Sequence, residues 1–333
     1  MKKIRIILIF SIICGIIIFT ISSIYSESIK NLSINVTSPL PKSQLGISLI
    51  FTGDIMVDRG VEYMMKENND WYWPFQLLNM KADLIVGNLE SQISDKGVKI
   101  GSIYSFRAEP ETMDSIKKAG FNIVDVNNNH FNDYTQEAFL DSLNRLKESE
   151  ISYFGGGVNE KEAFSPLIKE INGTKIAFLG YMDLGQENWK AQEDKSGIAW
   201  IKKTDFDKIA IDISKAKEEA DVVIVSMHSG VEYVQELTSF QKELSRIAID
   251  AGADLVIGHH PHVVQKYELY KGKYIFYSLG NFLFDQAFSE ETMTGRIVKV
   301  IIKDKEIKTI SIQESKQNES YQVYLVDKIQ KVY

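Results

Sequence analysis

From residue 46 onward the chain alternates short apolar runs with polar or glycine-bearing turns and charged amphipathic stretches. ISLIFTG (47–53), ADLIVGNLE (82–90), FNIVDVNN (121–128), TKIAFLGY (174–181), DVVIVSMH (221–228) and ADLVIGHH (253–260) read as strands. Helical stretches are expected between them at 110–119, 135–148, 205–219 and 235–251. Such alternation predicts an α/β sheet covered by helices, not an all-β sandwich. Near the end the pattern changes: YIFYSLGNFLF (274–284), GRIVKVII (295–302), EIKTISIQ (306–313) and SYQVYLVD (320–327) read as strands joined by short turns. That predicts an antiparallel contribution to a mixed sheet.

The beginning of the chain follows another rule. Residues 6–24, IILIFSIICGIIIFTISSI, carry no charge and follow Lys2, Lys3 and Arg5. The run nears the length a helix needs to cross a bilayer, and the basic head favours a cytoplasmic N-terminus. The expected reading is a single-pass membrane anchor at 1–25 with the rest of the chain outside the cell, and a cleaved signal is its rival. Residues 26–45, polar with two nearby prolines, read as a stalk, 46–303 as the main domain, and 304–333 as strands packed on that domain.

Composition narrows the function classes. With 333 residues, 44% of them hydrophobic, the chain is neither a disordered tail nor a disulfide-stapled miniprotein. Its one cysteine, Cys14, lies in the apolar run, so the domain holds no disulfide and is stabilised by its core. Beyond the three leading basic residues, 35 Lys and Arg face 45 Asp and Glu. So acidic a body lacks the concentrated positive charge that nucleic acid requires. The Gly155–Gly157 triplet is followed by no GKS or GKT, and no GxSxG elbow occurs.

There are only five histidines, His130, His228, His259, His260 and His262, and each lies at or near the end of an apolar run. Asp54, Asn88, Glu90 and Asn127–Asn129 also follow predicted strands. In an α/β sheet, ligands bind beyond the carboxyl ends of the strands, so these groups are expected to converge. Carboxylate oxygens and imidazole nitrogens suit Mn, Fe or Zn, and a site for two divalent ions needs about this many ligands. Two such ions can polarise a scissile group and activate a water, which removes the need for a serine or cysteine nucleophile.

The set FTGDIMVDR, GNLE, NNNH, HSGVEY, GADLVIGHHPHVVQ and YSLGNFLFD resembles the CapA family of poly-gamma-glutamate capsule synthesis proteins, whose domain is similar to the calcineurin-like metallophosphoesterases. The resemblance implies a four-layer α-β-β-α sandwich with a dinuclear metal site. Its implied partners are an anionic envelope polymer and membrane-embedded capsule synthase subunits. Carried over, Asp54, Glu90, Asn129, His228, His260 and His262 are the implied metal ligands, and His130 lies near the leaving group. His259 is the extra histidine, supporting the ligands or facing substrate. The phosphoesterase opening Asp-x-His is here Asp54-Ile55-Met56, and a thioether is a poor ligand for a hard ion. Asp58 is the residue that would compensate. Arg59 is expected to clamp a carboxylate or phosphate oxygen, or else to be an ordinary surface arginine. Asp183, Glu232, Tyr233, Gln265 and Asn281 are candidates for orienting ligands or facing substrate. Trp71, Tyr72 and Trp73 read as a polymer groove or a packed lid. Two functions compete: a metal-dependent hydrolase or transferase using metal-activated water, and a non-catalytic polymer-binding subunit of a synthesis and export complex.

Overall fold

The computed structural model describes residues 46–100 and 103–333, so the predicted anchor and stalk lie outside the described residues. Two mixed sheets organise the domain. The first runs in the order Val323–Lys331, Glu306–Gln317, Thr294–Lys303, Ile47–Ile55, Leu84–Leu89, Ile123–Asp125 and Ser152–Phe154, with Asn281–Leu283 also paired to Ile47–Ile55. The second runs Tyr267–Tyr270, Lys273–Phe276, Leu255–His259, Val222–His228, Thr174–Met182 and Leu167–Ile171. Among the described residues no helix is long and apolar enough to cross a membrane.

The period-two alternation of strands decides what each face meets. On the Ile47–Ile55 strand, Leu49 and Phe51 join Val86, Phe178, Ile224 and Ile257, residues of both sheets, in one apolar cluster. Ile50, pointing the other way, joins Val61, Ile116 and Leu143, which lie on the helices Arg59–Glu67, Thr112–Lys118 and Gln136–Glu148. Val223, Val225 and Val256 of the second sheet meet Ile213 and Leu244 on the helices Phe206–Glu219 and Ser239–Asp250.

Register then brings the strand ends level. In the first sheet Asp54 pairs with both Asn88 and Asn281, and Asn88 with Asp125. In the second, His228 pairs with Met182 on one side and His259 on the other. The stretch 274–284, expected as one strand, is two. Lys273–Phe276 belongs to the second sheet and Asn281–Leu283 to the first, so Tyr277–Gly280 carries the chain from one sheet to the other. Gly280 makes that crossing with φ +68°, and a Cβ on Gly53 would stand only 1.9 Å from the Gly280 carbonyl oxygen. Composition alone did not reveal the helix Arg59–Glu67, which is capped by the Asp58 carboxylate.

Phe178 is fully buried between the sheets. Phe178→Ala is expected to lower the unfolding free energy by about 3–5 kcal/mol, read from denaturant unfolding of the purified protein; a loss below about 1 kcal/mol would show that the intersheet layer is not a packed core.

Candidate metal centre

Asp54 and Glu90 are wholly buried at the ends of their strands, and neutral amides frame them. Asn128 is oriented by two backbone groups: its Oδ1 accepts from the His130 N–H at 3.1 Å and its Nδ2 donates to the Leu89 carbonyl at 2.9 Å. Its Nδ2 also donates to Asn88 Oδ1 at 2.9 Å, which turns the Asn88 amide nitrogen toward the carboxylates. Asn88 Nδ2 accordingly donates to Asp54 Oδ1 at 2.9 Å and Glu90 Oε2 at 3.0 Å. His259 Nδ1 meets Asp54 Oδ1 at 2.9 Å, and the His260 backbone N–H reaches Asp54 Oδ2 at 3.3 Å.

The other Glu90 oxygen is different. Among the described residues Glu90 Oε1 is buried with no hydrogen-bond partner, as is His260 Nδ1. Around Glu90 Oε1 stand His262 Nε2 at 3.6 Å, His228 Nε2 at 3.8 Å and His130 Nε2 at 3.9 Å. Asn129 Oδ1 lies 2.7 Å from His228 Nε2. Two groups, Glu90 with His260 and His262, and Asp54 with Glu90 and His228, each bring one possible ligand atom per residue within 4.8 Å of one another. They share Glu90, the arrangement a bridging carboxylate requires. An unpaired buried carboxylate oxygen costs several kcal/mol unless a cation meets it, so the donor set fits divalent metal.

Electrostatics agree with that chemistry. Burial, reinforced by Asp54, Glu232 and Asp133, holds Glu90 well above the ordinary carboxylate range. Burial would raise Asp54 too, but hydrogen bonds and charge from His259 and His262 overcome it and hold Asp54 well below that range. Burial and the neighbouring imidazoles push His228 far down and His260 down to about 3, leaving both neutral and ready to ligate. His260 and His262 sit at φ +97° and +57°, backbone conformations that cost energy in non-glycine residues and cluster at functional sites.

His130 and the outer candidates are placed as follows. His130 Nδ1 meets Asp133 Oδ2 at 2.7 Å, leaving Nε2 toward the cluster, and its ring lies 4.1 Å from that of Phe106. Arg59 is paired in two places with Asp285 and lies 4.5 Å above Phe106, so its charge is already met at the rim. Asp58 is not brought to the cluster. One of its oxygens accepts the Arg59 N–H and the other the Arg107 N–H, each at 2.7 Å, so it cannot replace the missing histidine. Met56 is buried in the helix-side core, and its sulfur accepts the Asp58 N–H at 3.1 Å. Asp183, just past the strand Thr174–Met182, is raised by burial, and its Oδ1 is buried with no hydrogen-bond partner among the described residues. Gln265 Nε2 donates to the Val234 carbonyl at 2.8 Å, bracing the exposed loop that carries Glu232 and Tyr233. Asn281 Oδ1 meets His262 Nδ1 at 2.9 Å. Trp71, Tyr72 and Trp73 pack against the core, and Trp73 Nε1 donates to the Ser320 carbonyl at 2.9 Å, which is the lid of the two readings. Asn88 and Asn128, inside the motifs GNLE and NNNH, were among the strand-end groups expected to converge, although their framing of the carboxylates was not foreseen; Asp133 was missed.

Comparison with known proteins bears on the same residues. The family profile described as bacterial capsule synthesis protein PGA_cap matches residues 48–286. The capsule biosynthesis protein CapA of Bacillus anthracis is 32% identical over 274 residues, covering 78% of this chain and 64% of that protein. The PGA biosynthesis protein CapA of Bacillus subtilis is 32% identical over 248 residues, covering 73% and 64%. The chain thus spans just under two thirds of the length of these relatives. Among solved structures, a 5'-nucleotidase from Candida albicans aligns with a TM-score of 0.45 and 10% identity over 83% of this chain and 53% of that one, a likeness too slight to inform activity. From the profile match, which spans the strand ends at Asp54, Glu90, His130, His228 and His262, the chain belongs to the PGA_cap family of bacterial capsule synthesis proteins.

Proposed function

We propose that this protein is a metal-dependent hydrolase or transferase of the cell envelope, acting on poly-gamma-glutamate or a related anionic linkage. The observation that carries the reading is Glu90 Oε1, buried, without a hydrogen bond among the described residues, and ringed by three imidazoles. Asp54, Glu90, Asn129, His228, His260 and His262 would hold two divalent ions of the Mn, Fe or Zn class. Such ions supply Lewis acidity and make a coordinated water more acidic. Asn88 and His259 hold the carboxylates in place, while Asp133 turns His130 Nε2 inward, where it can hold or release the leaving-group proton. Because Asp285 already engages Arg59, attraction of an anionic polymer would fall to the metal ions and to other local Lys or Arg.

The layering fits an α-β-β-α sandwich, since one apolar cluster contains residues of both sheets and two others contain residues of a sheet and its helices. The anchor at 1–25 and an extracellular domain belong to the same proposal, as do an anionic polymer and membrane-embedded synthase subunits as partners. An external protease digesting the domain in wall-stripped intact cells is the expected result, and full protection would overturn the topology. The competing non-catalytic reading draws on Met56, which occupies core where the phosphoesterase motif places a ligand.

Metal binding should be visible in stability, with a defined pH dependence. In the metal-free fold Glu90 keeps a proton that the unfolded chain releases above about pH 4.3, so its contribution to stability is lost as pH rises toward its folded pKa. His228 and His260 act oppositely. The unfolded chain takes up protons below about pH 6.5 and the folded one does not, so stability falls as pH drops from there toward each folded value, about 3 for His260. Metal requires ionised carboxylates and neutral imidazoles. At a hundredfold excess over Kd, manganese is expected to stabilise the protein by about 2.7 kcal/mol, with a larger Tm rise at pH 8 than at pH 5.5. Equal shifts at both pH values would refute the role given to Glu90. His228→Ala is expected to abolish manganese-dependent product release from both amide and phosphoester test substrates, by at least about a hundredfold. Full capsule production by that variant would instead favour the non-catalytic subunit.

A further inference from the structure

Beside the ligand cluster runs a chain of hydrogen bonds whose direction can be read without seeing a proton. It starts at the Thr292 carbonyl, which can only accept. Asn281 Nδ2 donates to it at 2.9 Å, and this fixes which end of the Asn281 amide is nitrogen. Asn281 Oδ1 therefore faces His262 Nδ1 at 2.9 Å, with Asp54 Oδ2 at 3.3 Å from the same nitrogen, so Nδ1 carries a hydrogen, and in the neutral ring the lone pair is on Nε2, the atom 3.6 Å from Glu90 Oε1. The second Asn281 amide hydrogen goes to Gln286 Oε1 at 3.0 Å. That in turn places the Gln286 amide nitrogen against the Tyr233 hydroxyl, again at 3.0 Å. The phenol accepts this bond, and its own proton must point away from the chain.

Tyr233 is well placed to use that proton. Its ring lies 6.0 Å from the His262 ring at 33°, with the Phe288 ring edge-on at 5.0 Å, and it is 44% exposed. It therefore roofs a ligand histidine while opening to solvent. Burial, with Glu232 and Glu90, pushes the phenol up to about 12, so the proton is retained at working pH. The backbone is held in a costly conformation to keep it there: φ is +63° at this bulky residue, and its N–H is pinned to the Pro261 carbonyl at 2.8 Å. Gln265, bonded to the next carbonyl along, braces the same loop.

We propose that Tyr233 is the specificity-determining residue at the mouth of the metal centre, donating its outward hydrogen to an acceptor oxygen of the substrate, phosphoryl or carboxylate, with Asn281 and Gln286 as the positioning residues that aim it. The inference rests on the metal-centre reading above, and it commits the mouth to a neutral donor against the apolar wall of Phe288. Gln286→Glu tests the direction, because a carboxylate accepts on both sides and would draw the Tyr233 proton inward while keeping the bond to Asn281.

The test uses the full-length, manganese-loaded protein with inorganic phosphate and γ-glutamylglutamate as calorimetric probes. Wild type is expected to bind at least one of them, and Tyr233→Phe to weaken that binding about tenfold or more with manganese affinity unchanged, the loss of one hydrogen bond to a charged oxygen. Gln286→Glu is expected to weaken it more in the wild-type background than in Tyr233→Phe, where only charge repulsion remains. In the metal-free protein, nitrogen-resolved NMR is expected to show His262 protonated on Nδ1. A hydrogen on Nε2 instead, binding of neither probe by manganese-loaded wild type, or a fall in manganese affinity parallel to probe affinity in Tyr233→Phe would each overturn the assignment. Wild type that binds no manganese counts against the metal centre and removes the inference with it. Wild type that binds manganese, with unchanged probe affinity in Tyr233→Phe, counts against Tyr233 alone.

Discussion

A carboxylate oxygen that is fully enclosed and accepts no hydrogen bond is the constraint around which the domain is arranged. Glu90 Oε1 occupies that position among the described residues, at the level where strands of both sheets end, and its nearest polar neighbours are imidazole nitrogens 3.6–3.9 Å away. Such an oxygen could be relieved by protonation, by a donor, or by a cation. Burial favours a proton there in the metal-free fold, and the surrounding donors suit a cation. The other Glu90 oxygen is already bonded, and burial and mutual repulsion keep His228 and His260 neutral rather than positive. Separation of two sheets by a packed apolar layer provides the low-dielectric wall behind the cluster.

Amides do most of the positioning. Asn88, Asn128 and Asn281 each span two or more site groups, and each is oriented ultimately by a main-chain carbonyl or N–H. A carboxamide adds donors and acceptors without adding charge, which matters where two carboxylates already share a dry site. Ordinary backbone geometry is thereby transmitted to the ring nitrogens. A neutral His262 presents its Nε2 lone pair toward Glu90, and the same polarity reaches Tyr233 at the surface through Gln286.

Much of this was legible in the residue order because strands announce themselves by apolar runs, and ligand chemistry follows where those runs stop. The strands ending at Ile55, Leu89, His228 and His259 were expected within a few residues of where they lie, and Asp54, Glu90, Asn129, His130, His228, His260 and His262 do come together. Other features depended on contacts distant in the chain. Asp58 is absorbed by the Arg59 and Arg107 amides, the second of which lies 49 residues away. Arg59 meets Asp285 across 226 residues, and nothing local to VDRG foretells that pairing. The apolar run 274–284 looked continuous because hydropathy does not record a change of sheet.

By itself, then, the sequence determined the alternation of elements, the mixed strand pattern, the acidic body, and a set of oxygen and nitrogen donors confined to strand ends. These follow from local periodicity and side-chain chemistry, which need no partner to be defined. Only the tertiary structure decided which donors share one dry volume and which way each amide points. It also showed that Met56 is core and Asp58 a helix cap, and that Tyr233 stands over His262. Those properties arise from register between sheets and from hydrogen bonds between residues far apart in the chain, and so they exist only once the chain has closed on itself.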